Sequence, residues 1–178
     1  MTVEFEILQL GHPQLRQPAK PVEAILDPAF QRQLDDLFGF VMEKGGMGIA
    51  APQVGISQQF FIMSSHPNER YPYAPDVEPF AVINPTILEV SDGQSKDWEG
   101  CLSLPGIRGL VPRADEIAVR FYNRDGELRE TRYQGFLARV FQHEFDHLQG
   151  TVFLDRVETT REVMMEQEWR CRVAAQLS

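Results

Sequence analysis

Apolar positions recur along this chain with two periods, and the changes between them outline its elements. From Phe30 they return at Leu34, Leu37, Phe38 and Val41, the spacing of one helix face. Asp27 followed by Pro28 reads as an N-cap with proline at the first helical position, and Gly45-Gly46 ends the pattern. Residues 60–63 form a short unbroken apolar run, the signature of a buried strand. Residues 80–83 and 86–90 read as strand segments interrupted by Asn84-Pro85. Residues 117–122 alternate apolar and polar, Arg124-Asp125-Gly126 turns the chain, and residues 127–133 return, which predicts a hairpin. A second helix opens near Gly135, with Leu137, Val140, Phe141 and Leu148 facing the core and Gly150 suited to a left-handed cap. Thr159-Thr160-Arg161-Glu162 resembles a capping box, predicting a last helix over 159–178 in which Met165, Trp169, Val173 and Leu177 recur every fourth residue.

This order predicts an α+β fold: antiparallel strands packed around a central helix, with an N-terminal and a C-terminal helix. Residues 65–79, rich in proline, tyrosine and polar side chains, are expected to be a surface loop. The length favours an insertion over a functional lip.

Composition narrows the class. A chain of 178 residues suffices for one domain with a real core, expected to span 1–178. The net charge of −9 argues against a nucleic-acid or anionic-membrane surface. No apolar run approaches the roughly 20 residues that span a bilayer. The acidic N-terminus is unlike a secretory signal, so the expected compartment is the cytoplasm. There Cys101 and Cys171 are not expected to pair, and each needs its own explanation.

The chemistry concentrates in Gln142-His143-Glu144-Phe145-Asp146-His147. On a helix, residues four apart have Cβ atoms roughly 5–6 Å apart, close enough for two imidazoles to grip one ion. Glu144 lies about 100° round the helix from His143, placed to reach a metal-activated water rather than to ligate. Chance histidine pairs at this spacing are common. Here the core-facing neighbours point the pair inward, where polar groups need partners.

A catalytic site of this kind takes three protein ligands and one open position. Candidates for the third are Cys101, Asp146, Glu99, His12 and His66. Cys101 alone reads as a small buried hydrophobe, and beside the pair it reads as a thiolate donor or a nucleophile with His143 as base. Upstream, residues 45–55 (Gly-Gly-Met-Gly-Ile-Ala-Ala-Pro-Gln-Val-Gly) form either a tight helix-to-strand turn or a ligand lining with Gln53 as donor. No phosphate-loop lysine follows.

Three stretches together carry a resemblance. Gly46-Met47-Gly48-Ile49-Ala50-Ala51-Pro52-Gln53, Glu99-Gly100-Cys101-Leu102-Ser103 and Gln142-His143-Glu144-Phe145-Asp146-His147-Leu148 resemble, in order, the three signature motifs of the peptide deformylase family. Ile49 stands where the family usually has leucine, and residues 65–79 look long against the shorter bacterial forms. The resemblance implies a metallohydrolase that removes the formyl group from N-formylmethionyl peptides of nascent chains. Cys101, His143 and His147 would hold one divalent ion, Fe(II) in the cell, with Zn(II), Ni(II) or Co(II) able to substitute. Glu144 would be the general base, and the Gln53 amide and Leu102 backbone N–H would hold the oxyanion. Gly48, Gly100 and residues 104–108, including Arg108, would bind an extended peptide as an added strand. Met47, Leu102 and Val140 would line a methionine pocket or be plain core. A transient ribosome contact is implied as well, although the last helix mixes Arg and Glu and is not basic. Two other readings remain at this point. A zincin-type protease would take a third ligand downstream of His147, where no further histidine occurs. A non-catalytic metal-binding relative would not need Glu144 and Gln53.

Overall fold

The computed structural model describes residues 5–176. The first helix, α1 (Pro28–Lys44), begins as its sequence dictates: the Asp27 carboxylate accepts from the N–H groups of Ala29 and Phe30, and Gly45 closes the helix at φ 60°. Strands β1 (Gly48–Ala50), β2 (Phe60–Ser65) and β3 (Val77–Val90) follow, then β4 (Gln94–Cys101) and β5 (Leu104–Ala114). The hairpin of β6 (Glu116–Tyr122) and β7 (Leu128–Gln134) leads into α2 (Gly135–Leu148). The chain ends with β8 (Val163–Met165) and α3 (Glu166–Arg172). All strand pairs are antiparallel, in two sheets of order β1-β2-β3-β6-β7 and β4-β5-β8.

The unbroken apolar run in β2 has a simple cause: both of its faces are covered. Phe60 and Ile62 pack with α1 through Phe30, Leu34, Leu37 and Val41, while Phe61 and Met63 pack with α2 through Ala138, Phe141 and Leu148. Edge-on ring pairs fix both layers, Phe30 with Phe60 and Phe61 with Phe141, each at 5.1 Å between centroids. Such pairs add about 0.5–1.5 kcal/mol beyond area burial. Helix α2 therefore lies between the sheets, in contact with β1, β2, β6 and β7 on one side and β5 on the other. Among the described residues no helix is long and apolar enough to cross a membrane.

Two expectations need correction. The break at Asn84-Pro85 is a register shift inside one strand, because Asn84 takes φ 49° and exchanges two hydrogen bonds with the Val22 backbone, at 2.8 and 2.9 Å. The helix expected over 159–178 is replaced by other elements. Thr159 does cap, but only a single 3-10 turn, Thr160–Glu162, after which β8 pairs with β5 at Ile107, Arg108 and Gly109. The open edge of β5 outcompetes helix continuation, and in this segment only Glu166–Arg172 is α-helical, with 3-10 turns at Thr160–Glu162 and Ala174–Gln176. Trp169 is buried, Met165 is exposed, and Leu177 lies outside the described residues. Of the stretch 104–108 expected to bind the peptide, Ile107 and Arg108 pair with β8. Both motif strands, β1 and β4, are terminal strands of their sheets, β1 pairing only with β2 and β4 only with β5.

Candidate active site

Helix α2 presents His143 and His147 on one face, with ring centroids 5.2 Å apart. Cys101 ends β4 at a register shift opposite the start of β5, which turns its side chain toward them. Its Sγ lies 3.3 Å from His147 Nε2, and ligand atoms of Cys101, His143 and His147 all fall within 4.8 Å of one another. One ion at normal Zn–S and Zn–N distances of ~2.0–2.3 Å fits such a trio. The other candidates for third ligand are engaged elsewhere. Asp146 accepts from Arg113 and Arg156, Glu99 from Arg113 and Arg139, and His12 is an exposed helix cap. His66 is not in the cluster.

Glu99 has a supporting part instead. It is 3% exposed and accepts from His143 Nδ1 at 2.9 Å, which leaves Nε2 of that ring as the ligating atom. Arg113 donates twice, at 2.9 and 3.0 Å, and Arg139 once, at 2.8 Å. Burial alone would raise the Glu99 carboxyl, but the Arg113 charge and the His143 and Arg113 hydrogen bonds hold it well below the usual range. From Arg113 the network continues to Asp146 at 2.6 Å and on to Arg156, so the buried charges are paired in a chain that locks α2 against β4 and β5.

Glu144 is built for a different task. It is 5% exposed, its Oε2 has no hydrogen-bond partner, and burial pushes its carboxyl up to about 7. A general base is most effective with a pKa near the operating pH. Gly48 explains itself here, since a Cβ at that position would sit 2.7 Å from Glu144 Oε1. Gln53 is 2% exposed and held from both ends. Its Oε1 accepts from Ala50 N–H at 2.9 Å, and its Nε2 donates to Cys101 Sγ at 3.3 Å and Ser103 Oγ at 3.2 Å.

A cleft of about 290 Å³ opens over these groups. It is lined by Met47, Gly48, Gln53, Gly100, Cys101, Leu102, Arg108, Val140, His143 and Glu144, with His147 buried beneath. The structure thus brings together every site residue expected from the sequence. It adds Tyr71, Phe136 and Glu166, which sequence reasoning missed. Tyr71 comes from residues 66–76, so the loop read as an insertion supplies part of the cleft wall. Tyr71 and Tyr73 pack against Phe136 of α2, a contact that only the folded chain displays.

Residues 4–163 match the polypeptide deformylase family. A peptide deformylase 2 of Nostoc sp. is 51% identical over 164 residues, 92% of each chain. The crystal structure of a class I type b peptide deformylase from Acinetobacter baumannii, bound to Met-Ala-Ser, superposes with a TM-score of 0.84 at 43% identity, covering 88% of this chain and all of that one. A peptide deformylase from Synechococcus elongatus in complex with actinonin gives a TM-score of 0.78 at 35% identity, covering 89% of this chain and 81% of that one.

This chain belongs to the peptide deformylase family. Deformylases are metal-dependent hydrolases that remove the N-formyl group from nascent formylmethionyl peptides. The Cys-His-His group suits that chemistry: one soft thiolate and two imidazoles, with a partly open cleft above them. A deformylase also has no use for a cysteine nucleophile. Convergence of two histidines on Cys101 fits ligation, and the zincin reading falls with the family assignment.

Proposed function

We propose that Cys101, His143 and His147 hold the metal of this deformylase, with Glu144 as general base and Gln53 and the Leu102 N–H as oxyanion donors. The observation that carries the reading is the buried, unpartnered Glu144 carboxylate beside the Cys-His-His trio. A divalent ion bound there supplies Lewis acidity and makes a water easier to deprotonate. Glu144 takes the proton of the attacking water and later delivers it to the leaving amine nitrogen. Gln53 Nε2 and the Leu102 N–H donate to the formyl oxygen as it gains charge. Losing one such donor typically costs ~2.7–4 kcal/mol in the barrier. Glu99 keeps His143 in the ligating tautomer through its 2.9 Å bond.

The peptide chain is read as a strand added to β1. Ala50 N–H points off the free edge toward Gln53, and backbone direction alternates along a strand, so the Gly48 N–H and C=O face the same edge. Gly100 lies across the cleft, while Met47, Leu102 and Val140 offer the apolar lining for methionine. Arg108 is one of the charged groups that line the cleft, with Arg70 and Glu166. The ion in the cell is proposed to be Fe(II). Zinc, nickel or cobalt suits the same donors, and a thiolate-bound ferrous ion is prone to oxidation. The cytoplasm, where new polypeptides appear, is the proposed compartment. Ribosome contact through a basic C-terminal helix is not supported by charge, since Glu166 pairs with Arg170 and Glu168 with Arg172.

Formyl and acetyl substrates test the reading. An acetyl methyl must fit between the trio and Gln53, beside Glu144. A methyl that is merely accommodated changes discrimination by ~1–3 kcal/mol. Displacing the oxyanion from its donors adds to that, so kcat/KM for formyl-Met-Ala-Ser should exceed that for acetyl-Met-Ala-Ser by more than about a hundredfold. A smaller ratio would show that the crowded wall is absent and favour a general peptidase.

A further inference from the structure

Past Val163, where the family match ends, α3 sends Glu166 back to the cleft and packs Trp169 behind the cleft residue Arg108. Trp169 is 2% exposed and stacks on Arg108, whose Cζ lies 4.7 Å from its ring centroid. Glu166 lines the cleft, accepts from Arg108 Nη2 at 3.4 Å and from Arg170 Nη2 at 3.1 Å, and lies 3.7 Å from Arg70 Nε. Tyr71 holds the same guanidinium from another direction, its Oη accepting from Arg108 Nη1 at 2.9 Å. Arg108 itself is 2% exposed and its Nε has no partner. It presses on the Gly100 backbone so closely that a Cβ there would sit 2.7 Å from Cζ.

A buried arginine is costly unless its surroundings hold it, and here the holders come from two segments. Residues 66–76 contribute Tyr71, and α3 contributes Trp169 and Glu166. Glu166 also ties the two segments together, because its carboxylate sits between Arg70, Arg108 and Arg170. Arg108, Tyr71 and Glu166 bring hydrogen-bonding groups to this wall. It suits a peptide backbone better than a thioether side chain.

We propose that Glu166 and Trp169 are positioning residues that fix Arg108 and the Tyr71 loop as the wall binding the peptide residues after formylmethionine. The C-terminal segment thereby sets how much this deformylase gains from a longer peptide. The proposal rests on the reading of the cleft given above. It extends that reading to residues that touch neither the metal trio nor the reacting atoms.

Two conservative variants test it in the metal-loaded protein: Glu166→Gln, nearly isosteric on a partly exposed residue, and Trp169→Phe, which keeps an aromatic ring. Steady-state kinetics on formyl-Met-Ala-Ser and on formyl-Met are compared with the wild type, alongside melting temperature and metal content. For the tripeptide, KM should rise about tenfold in Glu166→Gln with kcat unchanged, the scale of one hydrogen bond to a charged group. The constants for formyl-Met should stay as in the wild type. Trp169→Phe should shift the same ratio in the same direction. Equal losses on both substrates would show a merely structural role, and unchanged kinetics would show no role, so either result overturns the proposal. A wild type that releases no formate from either substrate would instead overturn the underlying reading.

Discussion

Glu144→Gln should keep its metal and lose turnover. The amide fills the space of the carboxylate beneath Gly48 but takes no proton at neutral pH. General-base assistance is worth about a hundredfold to ten-thousandfold, so kcat on formyl-Met-Ala-Ser should fall by that range. The variant should also fold, because Glu144 Oε2 has no hydrogen bond to lose and the amide spares the buried site a charge. Metal content and rate belong in one experiment. Full occupancy with more than a few per cent of wild-type activity would remove Glu144 from the mechanism.

Cys101→Ser should lose metal and stability together. A hydroxyl is a poor replacement for a thiolate, and a metal that binds only the folded chain contributes its binding energy to the fold. At a thousandfold excess over Kd that contribution is about 4 kcal/mol, equivalent to roughly 10 °C in Tm for a chain of this size. The shift should vanish when wild type and variant are compared after chelation. Cys171→Ser provides the control: that residue is exposed on α3, away from the trio, and its variant should keep both metal and activity. A Cys101→Ser protein with full metal occupancy and unchanged Tm would make Cys101 something other than a ligand.

What the sequence disclosed, and what it hid, follows from local chemistry. Helix α1 was legible because Asp27, Pro28 and Gly45 mark both of its ends and Phe30, Leu34, Leu37 and Val41 mark its face. The β6–β7 hairpin was legible from alternation and the turn at Gly126, which takes φ 75°. Strands β4 and β5 were not, because Gly100, Pro105, Gly106, Gly109 and Pro112 break the apolar pattern that announces a strand. Two of those glycines have packing reasons visible only in three dimensions. Gly100 admits Arg108, and Gly109 admits Phe153 and Val157, with a Cβ there meeting them at 2.9 and 2.8 Å. The C-terminal segment misled because a fourfold recurrence of apolar residues and a real Thr159 cap do not reveal that β5 has an open edge nearby.

The site shows the same division. His143, Glu144 and His147 are fixed by one helical turn, so spacing alone exposed them. Cys101, Gln53 and Gly48 became legible only as motifs in order, since their meeting depends on how β1 and β4 approach α2. Glu99 was visible as a carboxylate but not as the partner of His143, because that role depends on Arg113 and Arg139 neutralising it in a buried place. Tyr71 and Glu166 lie in segments without helical or strand periodicity toward the cleft, and nothing local marks them.

In the proposed mechanism one ion on Cys101, His143 and His147 makes this cleft a deformylase. Formate release from formyl-Met-Ala-Ser, followed while metal-stripped protein is titrated with Fe(II) in the absence of oxygen, tests it most directly. The account predicts no turnover before metal is added, activity rising in proportion to bound iron, and a plateau at one ion per chain. Turnover by the stripped protein, or none at one bound ion per chain, would contradict it.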